Sequence, residues 1–412
     1  MSANPLEGIR ILDLSMWWSG PMCTSYLGAL GAEVIKVESI QFPDGFRYTM
    51  APPGEENWWE LGPQWNAANM NKLGLTLNMN EPEGIQLFKE LVEKSDVVIE
   101  NFSPRVMANF GLSYEELRKV NPRLVYVSMP AYGSNGPYRD RPGFAYTFEI
   151  LSGIAQTNGY ANENPMIISG VGDVIASFHA AFALLSALEY RNRNGKGQHV
   201  EVAQAEACAN LIGQPIADVS MNGRNWGRMG NRQPGMAPHG IYRCKGEDSW
   251  IAISISSDEE WQMFCEVIGK PSLGKDDRFQ SLPSRYQHQD EIDQIIDTWT
   301  TQYSHYDAAK ILQAAGLSAG PVLEVDEMEN DRFLQGMFQE VSREFTGTHT
   351  FPAWPVKFSG ERLQHQNPAP KLGQHNEYVL KGLLGQTDEQ IASLNQREII
   401  GTEPLGAKLK NK

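Results

Sequence analysis

Cysteine is scarce in this chain: Cys23, Cys208, Cys244 and Cys265 are scattered over 412 residues with no paired spacing. That excludes a disulfide frame or a cysteine zinc site, and reads as reduced, mostly buried thiols of a cytoplasmic protein. Histidine is nearly as thin. The eight residues (His179, His199, His239, His288, His305, His349, His365 and His375) form no His-x-His or His-Glu-x-x-His pair, so no metal site is expected. Basic residues are outnumbered 50 to 35, a net charge of −15, which argues against nucleic acid as a partner. A local basic patch around an anionic ligand remains compatible with that balance. No apolar run approaches membrane-spanning length, and the N-terminal residues 1–8 lack a charged-then-apolar signal. The expectation is a cytoplasmic protein with no membrane partner. The first strand-to-helix turn reads Ser15-Met-Trp-Trp-Ser-Gly-Pro21, without Gly-x-Gly-x-x-Gly. Neither a Gly-x-Ser-x-Gly elbow nor a Walker loop occurs. These absences disfavour a nicotinamide enzyme, a serine hydrolase and an NTPase.

What is present is globular in composition, 41% apolar and 21% charged, and too long for one ordinary core. Strands are expected at 8–15, 33–38, 96–100 and 124–128, alternating with helices at 19–32, 83–94 and 114–120. That alternation predicts an α/β fold with a parallel sheet covered by helices. Its ligands belong beyond the strand C-termini, at loops 15–20, 39–47, 101–105 and 130–138. A strand at 197–202 and a helix at 203–212 follow. Residues 220–238, rich in Asn, Gly, Arg and Pro, read as a linker or a functional loop. Paired strands at 240–245 and 249–254, helices at 258–268, 289–302 and 306–316, and a strand near 320–324 make a smaller α+β unit. The chain then runs extended and Pro-rich from about 326 to 370, and ends in helical segments and a basic tail at 408–412.

One stretch stands out: Ile168-Ser-Gly-Val-Gly-Asp173, running into an apolar helix marked by Val174, Ile175, Phe178, Ala181, Phe182, Leu185 and Leu188. Taken alone, Asp173 is an ordinary N-cap. The positive helix end would also favour its ionised form, and the glycines let a ligand approach the backbone closely. Trp17 and Trp18 in the first turn read equally as core or as lining of an apolar or aromatic substrate pocket. Gly230-Asn-Arg-Gln-Pro-Gly235 reads either as a surface crossover or as a flexible basic loop over an anionic substrate.

Several segments in order resemble the family III CoA-transferases, the CaiB/BaiF type to which formyl-CoA transferase and the carnitine CoA-transferases belong. They are Gly8-Ile-Arg-Ile-Leu-Asp-Leu14, Leu30-Gly-Ala-Glu-Val-Ile-Lys-Val-Glu38, Asp44-Gly-Phe-Arg47, and Asn71-Lys72 with Leu75-Thr-Leu-Asn78. Ser19-Gly-Pro21, Val98-Ile-Glu-Asn-Phe-Ser-Pro104, Asn121-Pro-Arg-Leu-Val-Tyr-Val-Ser128, Tyr132-Gly-Ser-Asn-Gly-Pro137, Gly172-Asp173 and Gly195-Lys-Gly-Gln-His-Val-Glu-Val202 complete the set. The resemblance implies a Rossmann-like large domain at 1–200, a linker at 201–224, a small α+β domain at 225–325, and a linker and C-terminal return at 326–412. It also implies an interlocked homodimer, or a hetero-oligomer with a related subunit.

By position Asp173 is similar to the family's nucleophilic aspartate, which takes CoA from a donor acyl-CoA through anhydride and thioester intermediates. No permanent cofactor is implied; coenzyme A enters as a substrate. Oxyanions would be met by N–H groups of the helix start and the glycine loop. Tyr132 matches a tyrosine near the reacting centre, and Gly230, Asn231, Arg232, Gln233 and Gly235 match a mobile loop shielding it. Arg47, Lys72, Asn101 and Phe102 match CoA-binding positions. Ser39 and Asn109 replace family arginines, for which Arg105, Arg139 or Arg141 would compensate. Trp18, standing where formyl-CoA transferase has glutamine, points to a bulky acceptor acid, such as an arylsuccinate (benzylsuccinate, for example), a carnitine-like acid or a sterol side-chain acid, with succinyl-CoA as donor. The alternatives are a racemase resembling α-methylacyl-CoA racemase, whose histidine base is replaced by Phe144, and one subunit of a hetero-oligomeric transferase.

Overall fold

A computed structural model describes residues 4–51 and 54–408; the end of the basic tail lies outside them. Six short strands form one sheet: β1 (Arg10–Asp13), β2 (Glu33–Glu38), β3 (Lys72–Thr76), β4 (Val97–Glu100), β5 (Val125–Ser128) and β6 (His199–Glu201). All pairs are parallel, and the order is β3-β2-β1-β4-β5-β6. Strands covered on both faces read as continuous apolar runs, and Ile11, Leu12, Ile35, Val97, Val98, Ile99, Val125 and Val127 are wholly buried. One face packs on the helices Ser19–Ala29 and Val171–Asn194. The other packs on Pro82–Glu93, Tyr114–Val120 and the C-terminal segment around Val379, Leu394 and Ile400. The strand order reverses between β1 and β4, which opens a crevice at their C-terminal ends.

β3 was not anticipated from the sequence. Its centre is Gly74, whose missing side chain admits the returning chain: a Cβ there would lie 2.7 Å from the Lys371 carbonyl oxygen. The return is stitched to this edge by side chains. Gly74 donates to His375 Nδ1 (2.9 Å) and Thr76 donates to Asn376 Oδ1 (2.9 Å) through their backbone N–H groups.

The chain clusters into two compact units. One holds everything to Ala155, Ile167–Arg224 and the chain from Gly336 onward; the other holds Gln156–Met166 and Asn225–Gln335. Residues 156–166 cluster with the second unit rather than the first. The linker stretch 201–224 carries the helix expected at 203–212, observed as Gln204–Leu211, and a further helix, Gly213–Asn222. The second unit is an antiparallel sheet of β7 (His239–Arg243), β8 (Trp250–Ser254) and β9 (Ser318–Val322). Helices Asp258–Val267, Gln289–Thr300 and His305–Ala314 cover it around Trp261, Phe264, Ile292 and Leu312.

The helix Val171–Asn194 corrects another expectation. By length and composition alone its 24 residues could cross a membrane. In the fold it packs along the first helix and the helix Gln204–Leu211 of the large unit.

Candidate active site

Asp173 sits in the first turn of the helix Val171–Asn194, but it is not the cap. The N-cap is Gly170, at φ 116°, and no side chain caps this end from within the helix. The acceptor comes from a neighbour. Glu149, on the helix Ala145–Ser152, is completely buried and receives the backbone N–H groups of Ile168 (2.8 Å), Gly170 (2.8 Å) and, more weakly, Gly172 (3.5 Å). Those N–H groups, expected to meet an oxyanion, are therefore already engaged. Burial, and next the Glu149 charge, push the Asp173 carboxyl up to about 7. The helix start alone would lower it, so the expectation of a readily ionised carboxylate is corrected: desolvation and a like charge outweigh the dipole.

The tryptophans flank this turn. A Cβ on Gly170 would stand 2.6 Å from Cζ3 of Trp18, so the indole lies directly on the Asp173 loop. Trp17 adopts φ 66°. Its backbone N–H is held by the Asp44 carboxylate (3.0 Å), and its ring packs edge-on against Phe46 and Phe144. Trp18, Met22, Phe46, Gln64, Met70, Phe178 and Trp354 line an apolar cavity of about 430 Å³. Tyr132 packs on Phe148, the neighbour of Glu149, and on Tyr138.

A second cavity, about 340 Å³, lies at the C-terminal ends of β1 to β4 and is lined by Leu14, Met16, Ser39, Asn78, Phe102 and Phe110 among others. Phe102 thus presents its ring to this cavity's lining. Asn101 is adjacent, but its side chain is spent on the Met16 backbone, accepting at 2.8 Å and donating at 2.7 Å. Arg105 is exposed on the short helix Arg105–Asn109, beside lining residues Val106 and Met107.

Arg47 and Lys72 do not reach either cavity surface. Arg47 is fully buried between Glu38 (2.9 Å) and Glu60 (3.1 Å), and lies over the Trp65 ring. Lys72 donates to Asp13 (2.9 Å), Asn69 (2.9 Å) and the Pro21 carbonyl (2.8 Å). Burial opposes its charge, yet Lys72, Lys36 and the Ser15 and Thr24 hydroxyls hold the Asp13 carboxyl down to about 2. A phosphate cannot approach either cation without breaking a buried pair, so the expectation of direct CoA contact is corrected for both.

Gly230–Gly235 lies in the second unit and is tied there. The Gly230 N–H donates to Gly159 (2.8 Å), Asn231 donates to the Tyr160 hydroxyl (3.0 Å), and the Gln233 carbonyl accepts from Met236 (3.2 Å). Gly235 has φ 84°. Arg232 pairs with Asp290 and with Asp293 (3.0 Å). The charge expected to face an anionic substrate is neutralised within its own unit.

Sequence reasoning missed Glu149 and Asp44. The signal for Glu149 was a lone acid inside the apolar run Phe144-Ala-Tyr-Thr-Phe-Glu-Ile-Leu151. Among the described residues, no group of His, Cys, Asp and Glu is arranged to hold a metal ion.

A crevice at the switch point of a doubly wound sheet, and an apolar cavity lined by the Trp18 that packs on the Asp173 turn, are concave sites of the kind that take small-molecule ligands. Comparison with known proteins gives the class of protein its name. The model of CoA-transferase family III matches residues 6–376. Succinyl-CoA–D-citramalate CoA-transferase of Chloroflexus aurantiacus is 32% identical over 406 residues, 96% of this chain and 98% of that one. The beta subunit of succinyl-CoA–L-malate CoA-transferase from the same organism is 30% identical, covering 96% of this chain and 98% of its own. A solved CaiB/BaiF family protein from Brucella suis superposes with a TM-score of 0.84 at 28% identity, over 92% of this chain and 99% of that one. The chain belongs to CoA-transferase family III, enzymes whose substrates are CoA thioesters.

Proposed function

We propose that this enzyme moves CoA from succinyl-CoA to a bulky, apolar carboxylic acid, with Asp173 as the covalent nucleophile. The observation that carries the reading is the uncapped Asp173 carboxylate in a first helical turn that Trp18 joins to an apolar cavity. An Asp173 oxygen attacks the thioester carbonyl; the C–S bond breaks, giving an acyl-aspartyl anhydride and CoA thiolate. The thiolate attacks the aspartyl carbonyl and releases succinate, leaving an aspartyl-CoA thioester. The acceptor carboxylate attacks that carbonyl, expelling thiolate and forming a second anhydride. Thiolate then attacks the acceptor's acyl carbon, which frees Asp173. No proton is transferred, so Phe144, which has no titratable group, is compatible with the reaction. It does not suit a racemase.

The donor assignment is supported by the two succinyl-CoA-dependent relatives. The acceptor assignment is supported by the aromatic lining of the larger cavity; arylsuccinates such as benzylsuccinate fit its chemistry. The β1–β4 crevice would take the nucleotide end of CoA, with Phe102 as its stacking face and Arg105 nearest for a phosphate. A second copy of the chain would cover the apolar surface of the helices Val171–Asn194 and Gly213–Asn222, where Phe182 and Met221 are 76% and 80% exposed.

The test is incubation with succinyl-CoA and a panel of acids, following new CoA thioesters by mass spectrometry. New thioesters of bulky apolar acids are expected, and their loss in Asp173→Ala. Undiminished transfer by Asp173→Ala, or α-proton exchange without transfer, overturns the reading.

A further inference from the structure

Glu149 carries a second consequence for this site. Its side chain is wholly buried, no cation among the described residues pairs with it, and its two oxygens instead collect the N–H groups that precede Asp173. The free N–H groups at a helix start normally draw the nearest carboxylate of their own chain segment into a cap. Here the first-turn carboxylate is Asp173, at the third helical position, and the N-cap N–H that such a side chain reaches back to, that of Gly170, is taken by Glu149 at 2.8 Å. The turn it holds is a demanding one, with Ser169 at φ 62° followed by Gly170 at φ 116°.

We propose that Glu149 is a positioning residue: by capping this helix from outside it leaves the Asp173 carboxylate unpaired for attack, and it fixes a second negative charge beside it. The proposal rests on the reading of Asp173 as the nucleophile. It goes further in assigning to a second carboxylate the state in which that nucleophile waits. A carboxylate kept basic by burial and a like charge is a stronger nucleophile once ionised, because nucleophilicity rises with basicity. The Asp173 carboxyl at about 7 agrees with that arrangement. Other titratable groups nearby do not compete. Cys208, on the helix Gln204–Leu211, is pushed up to about 12, chiefly by burial and then by Glu149 and Asp173, and stays neutral. The first helix, Ser19–Ala29, carries no charged side chain, only Cys23 and Tyr26 as titratable groups.

The test follows exchange of isotopically labelled succinate into succinyl-CoA, which needs no knowledge of the natural acceptor. In the unaltered enzyme kcat/KM should fall tenfold per pH unit below about pH 7, the region in which Asp173 takes up its proton. Glu149→Gln keeps the shape and one acceptor oxygen but removes the charge. The acidic limb should then move down by about one pH unit, and the plateau kcat should drop about tenfold while KM stays near its value. Glu149→Asp, which retains the charge one methylene short, should lose rate but keep the limb where it was. An unaltered enzyme whose limb lies at an ordinary carboxylate pH overturns the proposal, whether or not the variants fold. So does a Glu149→Gln enzyme that is slower at every pH with an unmoved limb, since that is a merely structural effect. Asp173→Asn separates the two ideas: if it still exchanges succinate, the nucleophile reading itself fails, whereas a dead Asp173→Asn with an unmoved Glu149→Gln limb sinks only the role of Glu149.

Discussion

Trp18 and Gly170 are in mutual contact, and the contact leaves no room for a side chain: a Cβ at residue 170 would lie 2.6 Å from Trp18 Cζ3 and 3.1 Å from Cε3. Gly170 is also at φ 116°, where any L-residue is strained. Gly170→Ala must therefore move either the indole or the turn that carries Asp173. Displacement of a reacting group by about 1 Å costs roughly 100-fold in rate. A loss of about that size in succinate exchange is expected, with thermal unfolding lowered by only about 1–2 kcal/mol in stability. Full activity in this variant would show that the Trp18 contact does not set the position of Asp173.

Asp173 should cost stability as the pH rises. Its pKa in the folded protein is about 7, raised from the ordinary carboxyl value of 3.8, so the folded state binds the proton more tightly than the unfolded state between those values. Stability contributed by the protonated form is therefore lost progressively as pH climbs through that window. Asp173→Asn cannot ionise. It should match the unaltered protein at pH 4 and exceed it at pH 8 by about 1–2 kcal/mol, after allowance for partial exposure of the side chain. Calorimetric melting at the two pH values measures this. Equal melting temperatures at pH 8 would mean that the carboxylate ionises there without penalty.

Much of the scaffold was readable because its signals are local. The apolar runs Arg10–Asp13, Glu33–Glu38 and Val97–Glu100 can only be strands buried on both faces, and the helix Tyr114–Val120 begins and ends where its polar flanks place it. Asp173 was readable as the residue of interest, from its glycine bracket and from the order of its neighbouring motifs. Its partner was not. Glu149 and Gly170 are separated by 21 residues, and only the packing of two helices makes one the cap of the other. The same limit misled the reading of Arg47 and Lys72. A basic residue in the right motif looks like a phosphate ligand until the fold shows Glu38, Glu60 and Asp13 already against it. β3 was hidden for a related reason, because its glycine is explained only by a chain segment some 300 residues later.

Those buried pairs make a prediction of their own. Lys72→Met removes a cation that has no exposed surface and takes from the buried Asp13 carboxylate its direct ion-pair partner, leaving it the Ser15 and Thr24 hydroxyls and the more distant Lys36. Losing one partner of a buried pair typically costs about 3–5 kcal/mol. The variant should unfold at markedly lower urea concentration, while the KM for succinyl-CoA in the surviving folded fraction stays unchanged. A raised KM at undiminished stability would instead return Lys72 to the CoA site.

Phe102 offers the opposite pattern. It sits half-buried at the end of β4, in the crevice that Leu14, Ser39 and Asn78 also line, and its backbone N–H is anchored by Glu100 (2.8 Å). Burial pushes the Glu100 carboxyl up to about 8, which favours its neutral form beside Phe102. An aromatic side chain stacking on a ligand ring contributes about 1–3 kcal/mol. With the nucleotide end of CoA placed here as proposed, the stacked ring is far from the thioester, and the contact would be made equally in ground and transition states. Phe102→Ala should therefore raise the KM for succinyl-CoA about tenfold and leave kcat within about twofold. Phe102→Tyr, which keeps the stacking face, should restore KM. A fall in kcat with KM unchanged would place Phe102 beside the reacting carbonyl rather than beneath the nucleotide.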